Sequence, residues 1–250
     1  MKNRIHIFTG HFGSGKTEVA LNFALQEKKK GEDVVIVDLD IVNPYFRTND
    51  ARNVLMKNGI KVVANNYASS NVDMPTMPLD ILSVFNNDNS VVVFDVGGDD
   101  DGALALGQYK QYFDKYGYEM HFIVNTKRPL TRTNDELIEI AERIESASRL
   151  KFTDIYNNTN LSDQTDETTL FSGYDEIKML SKKMGIVITK NCGIDKALSN
   201  VPTNLKDTVF RMNICILRPW EIQWKPNKGV DFFWRKLSST KNVVKVVNFA

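Results

Sequence analysis

The amino-acid sequence predicts a doubly wound α/β domain, a mostly parallel sheet with helices on both faces. Short β-branched runs alternate with stretches of helical pattern along most of the chain. The runs are apolar on both faces, as strands covered from two sides must be. At 250 residues, 42% of them hydrophobic, the chain is long enough to bury a sizeable core as one large domain or two small ones.

The elements follow in order. RIHIFT is the first strand, and a helix runs from about Lys16 to Lys30. Lys28, Lys29 and Lys30 suit the carbonyl end of that helix dipole, and Gly31 suits its cap. DVVIVD is followed by a helix over Asn49 to Lys57, then by the strands KVVA, SVVVFD and MHFIVN. From Arg132 to Arg149, Leu137, Ile140, Ile144 and Ala147 recur at helical spacing, which predicts an amphipathic packing helix. FTDIYN, GIVIT and NICIL complete the strands. Asp101 is expected to cap a helix beginning near Gly102.

Two polar stretches interrupt the alternation, NNYASSNVDMPTMP (65–78) and the Asn-, Asp- and Thr-rich segment from Asn157 to Ser172. Long loops in compact domains are often functional, and a plain surface excursion fits them equally. Residues 1–218 read as one domain, and 219–250 as an aromatic-rich extension that is not a domain of its own. Trp220, Trp224 and Trp234 with Phe232 and Phe233 fit a tail packed on its own sheet or a strip for a partner.

Thirty-two basic against thirty-one acidic side chains leave no global field to steer the chain toward DNA or an anionic membrane. The two cysteines, Cys192 and Cys215, lack the partners of a zinc pattern and read as buried thiols of a reducing compartment. The N-terminus is too short in apolar residues for a signal peptide. No window reaches the ~20 apolar residues of a membrane span, so the expectation is a cytoplasmic protein. His6 and His121 alternate with apolar residues inside strands and read as structural.

The chemistry concentrates in GHFGSGKT, which fits G-x-x-x-x-G-K-[ST] at Gly10, Gly15, Lys16 and Thr17, directly after a strand and at the start of a helix. Phosphate oxygens can lie against backbone N–H groups only where no side chain intrudes, which glycines at 10, 13 and 15 allow. The N-terminal amides of the helix point at the same anion. The nucleotide cradle is thus Gly10, His11, Phe12, Gly13, Ser14, Gly15, Lys16 and Thr17, with Lys16 bridging the terminal phosphates and the Thr17 hydroxyl on Mg2+. SVVVFDVGG places Asp95 at the end of a strand, where it would meet Mg2+ through water.

With these elements in order around DVVIVDLDIVNPYFR, the chain resembles the MinD/ParA-like branch of P-loop NTPases, which carries a deviant Walker A loop. The likeness covers most of residues 1–200. In that family an Asp-x-Asp pair forms the first switch, and the matching residues are Asp38 and Asp40; the second switch, D-x-x-G, matches Asp95 to Gly98. The resemblance implies that Asp40 orients the attacking water or a metal-bound water, and that the Gly98 N–H senses the γ-phosphate. It also implies that Asn157 or Asn158, at a later strand end, meets the edge of adenine, and that TKNCGID (189–195) either covers the base or is a turn into a helix.

One departure stands out. The family usually carries a lysine near the start of the loop, K-G-G-x-G-K-T, which reaches across a dimer to the other subunit's phosphates. Here His11 and Phe12 occupy the positions of that lysine and the first glycine. A neutral imidazole does not replace a permanent cation, which puts an ATP-driven homodimer of that kind in doubt.

The function expected from these readings is a Mg-ATP-binding ATPase that acts as a nucleotide-dependent switch or assembly factor for a protein partner. An ATP-dependent small-molecule kinase or ligase, and a nucleotide-binding interaction protein without hydrolysis, are the alternatives. DNA partitioning is not favoured, since it needs a basic surface and a nucleotide-driven dimer. The positions of the cysteines speak against a shared iron–sulfur cluster.

Overall fold

A computed structural model describes residues 3–39, 49–64, 79–98 and 100–215. The chain divides into two units, Met1–Ile216 and Leu217–Ala250, of which the second lies outside the described residues. Asp40, Arg47, Asp99, the 65–78 segment and the aromatic extension also lie outside them.

Eight parallel strands form one sheet: β1 (Ile5–Thr9), β2 (Asp33–Leu39), β3 (Lys61–Ala64), β4 (Ser90–Val96), β5 (Glu119–Val124), β6 (Asp154–Asn157), β7 (Val187–Gly193) and β8 (Val209–Arg211). Their spatial order is β3-β2-β4-β1-β5-β6-β7-β8, and every pairing is parallel. This is the expected α/β class, the P-loop NTPase fold. The chain leaves β1 toward one edge of the sheet and, after β4, crosses back to the other side of β1. Such a reversal opens a crevice at the carboxyl ends of the strands.

Side chains alternate between two cores with the period of a strand. Ile5, Ile7, Val35, Val37, Val92, Phe94, Met120 and Phe122 face one core; Phe8, Val34, Ile36, Val93 and Ile123 face the other. Helix α1 (Lys16–Lys29) covers the second core through Val19, Ala20 and Phe23, and α2 (Asn49–Lys57) adds Leu55. The first core is closed by α3 (Leu79–Phe85), α4 (Asp100–Gly107), α5 (Lys110–Tyr116), α6 (Asn134–Ser148) and α8 (Tyr174–Met184). The short α7 (Glu167–Phe171) sets Leu170 against Ala197 and Leu198. Among the described residues no helix is long and apolar enough to cross a membrane.

Local chemistry explains most helix ends. Gly31 turns the chain out of α1 at φ 94°, after Lys28 and Lys29 have met the helix dipole. Helix α6 opens on a reciprocal cap. The Glu136 amide donates to Thr133 Oγ1 at 3.3 Å, and Glu136 Oε2 accepts from the amides of Thr133 and Arg132 at 3.0 and 2.8 Å.

Three expectations are corrected. Helix α4 begins at Asp100, ahead of the expected start near Gly102, which places Asp101 inside its first turn. Gly102 is needed there because a Cβ would meet the Gly97 backbone at 2.6 Å. The TKNCGID stretch does not start past a strand, since β7 runs on to Gly193, held by β8 through Asn191, Cys192 and Gly193. Among the described residues the last strand is Val209–Arg211; Asn213 to Cys215 of NICIL lie outside any strand, and 216–217 fall outside the described residues. Side chains of α1 take the amides that NICIL would need for pairing: Asn213 N–H donates to Asn22 Oδ1 at 2.8 Å, and Cys215 N–H to Glu18 Oε1.

Replacing the cap residue tests the start of α6. Thr133→Ala should cost about 1 kcal/mol in urea unfolding. Backbone donors hold the Glu136 carboxyl below its ordinary pKa, so its stabilising effect is full above the unfolded value and fades as pH falls through the folded one. The cost of Glu136→Ala should accordingly shrink in acid.

Candidate phosphate-binding site

The loop between β1 and α1 is shaped by what cannot fit beside it. A Cβ on Gly10 would run into the carbonyl oxygen of Ile123 in β5. Gly13 and Gly15 take φ of 76° and 84°, a left-handed backbone that side-chain-bearing residues avoid. Gly15 is also the N-cap of α1, and it has no side chain to satisfy the helix's first amides. Those amides meet at the carboxyl edge of the sheet, where an anion is favoured by both hydrogen bonding and the dipole. Phe12 is 63% exposed, so its ring leaves the inner side of the loop to backbone.

Two side chains hold the loop from outside. Arg128 Nε donates to the Gly13 carbonyl at 2.9 Å, and Asn158 Nδ2 donates to the Ser14 carbonyl at 2.7 Å. The loop's own turn is closed by Ser14 N–H to His11 O at 3.0 Å. With the Ser14 carbonyl pulled outward, the trans geometry of the peptide turns the Gly15 N–H the opposite way. A third contact comes from β4: a Cβ on Gly98 would stand 2.6 Å from Gly10 O and 2.7 Å from Phe12 N. Gly98 therefore touches the loop backbone, and only glycine lets it approach.

Lys16 and Ser14 are buried at the start of α1, and Asp95 is buried at the end of β4. Asp95 lies level with Phe8 of β1 and with Asp38 of β2 in the parallel register, so two carboxylates stand side by side on adjacent strand ends. Among the described residues the buried hydroxyls Thr17 Oγ1 and Ser14 Oγ find no hydrogen-bond partner. A buried hydroxyl is normally satisfied. A threonine hydroxyl and strand-end carboxylates are hard-oxygen donors of the kind that Mg2+ takes while keeping several waters. The donors present fit that ion.

His11 is half-buried. Burial first, then the charges of Lys16 and Arg143, hold its pKa below the ordinary 6.5, so the imidazole is neutral near pH 7.

The two asparagines expected near the base are employed differently. Asn157 is fully buried; its Nδ2 donates to Leu170 O at 3.1 Å and to Asn191 Oδ1 at 2.9 Å, while its Oδ1 accepts from Thr159 N–H at 3.0 Å. It ties β6 to β7 and α7. Asn158 serves the loop as described, so in this structure both amide donors are committed to protein acceptors.

Arg128 carries no sequence signal of its own: it is one arginine in TKRP, after a strand. The buried Asn125 builds the platform under it. Asn125 Oδ1 accepts from the amides of Lys127 and Asn160 at 3.0 and 3.1 Å, and its carbonyl accepts from Thr131 Oγ1 at 2.7 Å.

A second polar cluster lies under α1. His6, Glu119 and His121 bring ligand-type atoms within 4.8 Å of one another. His121 Nδ1 is 2.6 Å from Asp154 Oδ1, and Thr189 Oγ1 donates to Asp154 Oδ2 at 2.6 Å. His6 Nδ1 is 3.1 Å from His121 Nε2, with ring centroids 5.4 Å apart and planes within 10°. The nitrogen separation plus the two ring radii accounts for the whole centroid distance, so the rings lie end to end in one plane. Their facing nitrogens point at each other and not toward a common third point. The cluster is a hydrogen-bonded chain, Thr189–Asp154–His121–His6, and its geometry is not that of a metal centre.

No protein-family model and no characterised protein matches the chain. Solved structures do. FtsY from Mycoplasma mycoides aligns over 75% of this chain and 60% of its own, at 15% identity and TM-score 0.51. Chloroplast FtsY from Physcomitrella patens aligns over 74% and 56%, at 13% identity and TM-score 0.50. The signal recognition particle receptor FtsY from Elizabethkingia anophelis aligns over 75% and 58%, at 17% identity and TM-score 0.47. The chain thus spans less than two thirds of each. At such identities the likeness concerns the fold, a parallel-sheet P-loop NTPase, and these neighbours are signal recognition particle receptors rather than MinD/ParA-like proteins.

Two outcomes test the site. In NMR titration the His11 midpoint should lie below 6.5 and rise when inorganic phosphate or nucleotide occupies the loop; because the folded value is the lower one, His11 lowers stability as pH falls through the unfolded value. Gly98→Ala places a methyl against loop backbone on both sides. It should abolish phosphate retention while far-UV circular dichroism stays that of the parent.

Proposed function

We propose that the chain is a Mg-ATP-binding P-loop ATPase that acts as a nucleotide-dependent switch or assembly factor for a protein partner, in the manner of MinD/ParA-like proteins. The observation that carries this is the glycine-shaped loop capping α1, with Lys16 and the unpartnered Thr17 hydroxyl at its base.

The loop amides and the first turn of α1 would bind the phosphates, and Lys16 would place its ammonium on the terminal ones. Thr17 Oγ1, with Asp95 and Asp38 behind it, would hold Mg2+, whose chemistry is to neutralise charge on the phosphate oxygens. Asp40 would orient the attacking water. Gly98 couples phosphate to the rest of the molecule: it touches Gly10 and Phe12 on one side, and the chain beyond it enters α4. A γ-phosphate that draws the Gly98 amide inward would shift this segment as a unit, which is how order in a switch reaches a partner.

Base choice is part of the proposal and favours adenine. A neutral His11 supports turnover that is slow until a partner supplies charge, and a cytoplasmic setting suits the free thiols of Cys192 and Cys215.

Equilibrium titration with Mg-ATP and Mg-GTP, together with phosphate release, tests this reading. Lys16→Ala should weaken Mg-ATP by about ten- to a hundredfold, the worth of a charge-assisted contact. Thr17→Ala should remove the dependence of affinity on Mg2+. Equal ATP affinity in wild type and Lys16→Ala would defeat the assignment, and a preference for GTP would reverse the base.

A further inference from the structure

A triphosphate brings more negative charge than one lysine and one divalent ion neutralise. Its surroundings should therefore include another cation in reach of the loop. His11, at the loop's second position, is neutral near pH 7. Arg128 is the group that answers the need. Its Nε is spent on the Gly13 carbonyl at 2.9 Å, and its side chain lies along the loop, so that a Cβ on Gly13 would meet Nε at 3.3 Å and Cδ at 3.5 Å. Its two Nη nitrogens have no hydrogen bond, and no carboxylate pairs with it, among the described residues. Arginine keeps its charge at every working pH and offers a planar fork of donors that matches phosphate oxygens.

The residue is also carried on a fixed turn. Asn125, 1% exposed, organises the turn that carries it, and the Arg128 N–H closes that turn on Asn125 O at 3.3 Å. A guanidinium pinned by one nitrogen, on a platform fixed by a buried amide, loses little side-chain freedom when it takes a phosphate.

Resting on the reading of this loop as a nucleotide site, we propose that Arg128 is the second cation of that site, supplied in cis from the end of β5. It binds phosphate through its Nη fork while its Nε holds Gly13 in place. The loop would thus carry its own charge compensation within one chain, without a lysine from a second copy.

The test compares wild type, Arg128→Lys, Arg128→Gln and Lys16→Ala in Mg-ATP titrations at low and high salt, with melting curves to show that each folds. Glutamine keeps an amide donor for the loop and removes the charge; lysine keeps the charge. Arg128→Gln should weaken Mg-ATP about tenfold at low salt, with the deficit shrinking as salt rises. Arg128→Lys should recover most of the loss. Two results would overturn the inference while leaving the nucleotide site intact, provided Lys16→Ala loses binding: wild-type affinity in Arg128→Gln, or equal losses in the lysine and glutamine variants at both salts. Unchanged affinity in Lys16→Ala would remove the site itself and the inference with it.

Discussion

A short backbone path that only glycine can follow, between the central strand and the first helix, is the constraint on which the rest of the structure depends. The path exists because Gly10 passes under the Ile123 carbonyl and because Gly13 and Gly15 turn left-handed. Left to itself such a segment would be the most mobile part of the chain, since glycine has the most conformational entropy to lose. It is held by neighbours instead: Arg128 and Asn158 take its carbonyls from outside, and Gly98 abuts it from β4. The three contacts come from three different strand ends, so the loop is a product of the sheet's strand order. A different order, with β4 or β5 away from β1, would leave the same eight residues unshaped.

Polar groups in the core follow a division of labour. The chain Thr189–Asp154–His121–His6 crosses from β7 to β1 beneath α1, each link a hydrogen bond among buried or nearly buried groups. Burying a histidine pair costs stability unless every donor finds an acceptor. Here the Asp154 carboxylate meets His121 Nδ1, and His121 Nε2 faces His6 Nδ1. Phe8, Phe23 and Tyr156 pack around the rings at centroid distances of 4.5 to 4.7 Å. The result is a specific polar seam that sets how α1 sits on the sheet, and α1 is the helix that the glycine loop leads into.

The thiols belong to the same picture. Burial pushes the Cys192 thiol far up, and burial together with Glu18 pushes Cys215 up to about 12. Both are protonated at neutral pH, poor nucleophiles and poor ligands. Glu18 meanwhile accepts from the amide of Cys215, so the segment after β8 is tied to α1 by its backbone.

What the amino-acid order determined by itself was whatever depends on near neighbours in the chain. Period-two runs covered on both sides, a glycine–lysine–threonine loop after a strand, and an aspartate at a strand's end are all local patterns, and from them the α/β class follows correctly, with the loop and the aspartate at the strand ends where the pattern puts them. Tertiary structure decided what depends on partners distant in sequence. Asn157 and Asn158 are adjacent and identical in kind, yet one knits β6 to β7 and the other holds Ser14, 144 positions away. Arg128 is one exposed arginine in the string TKRP, and it gains meaning only because β5 lies beside β1. NICIL has the pattern of a strand, but the α1 side chains Asn22 and Glu18 compete for its amides. In each case the deciding hydrogen bond spans more than a hundred residues or links separate elements, and no local pattern encodes which distant group will arrive.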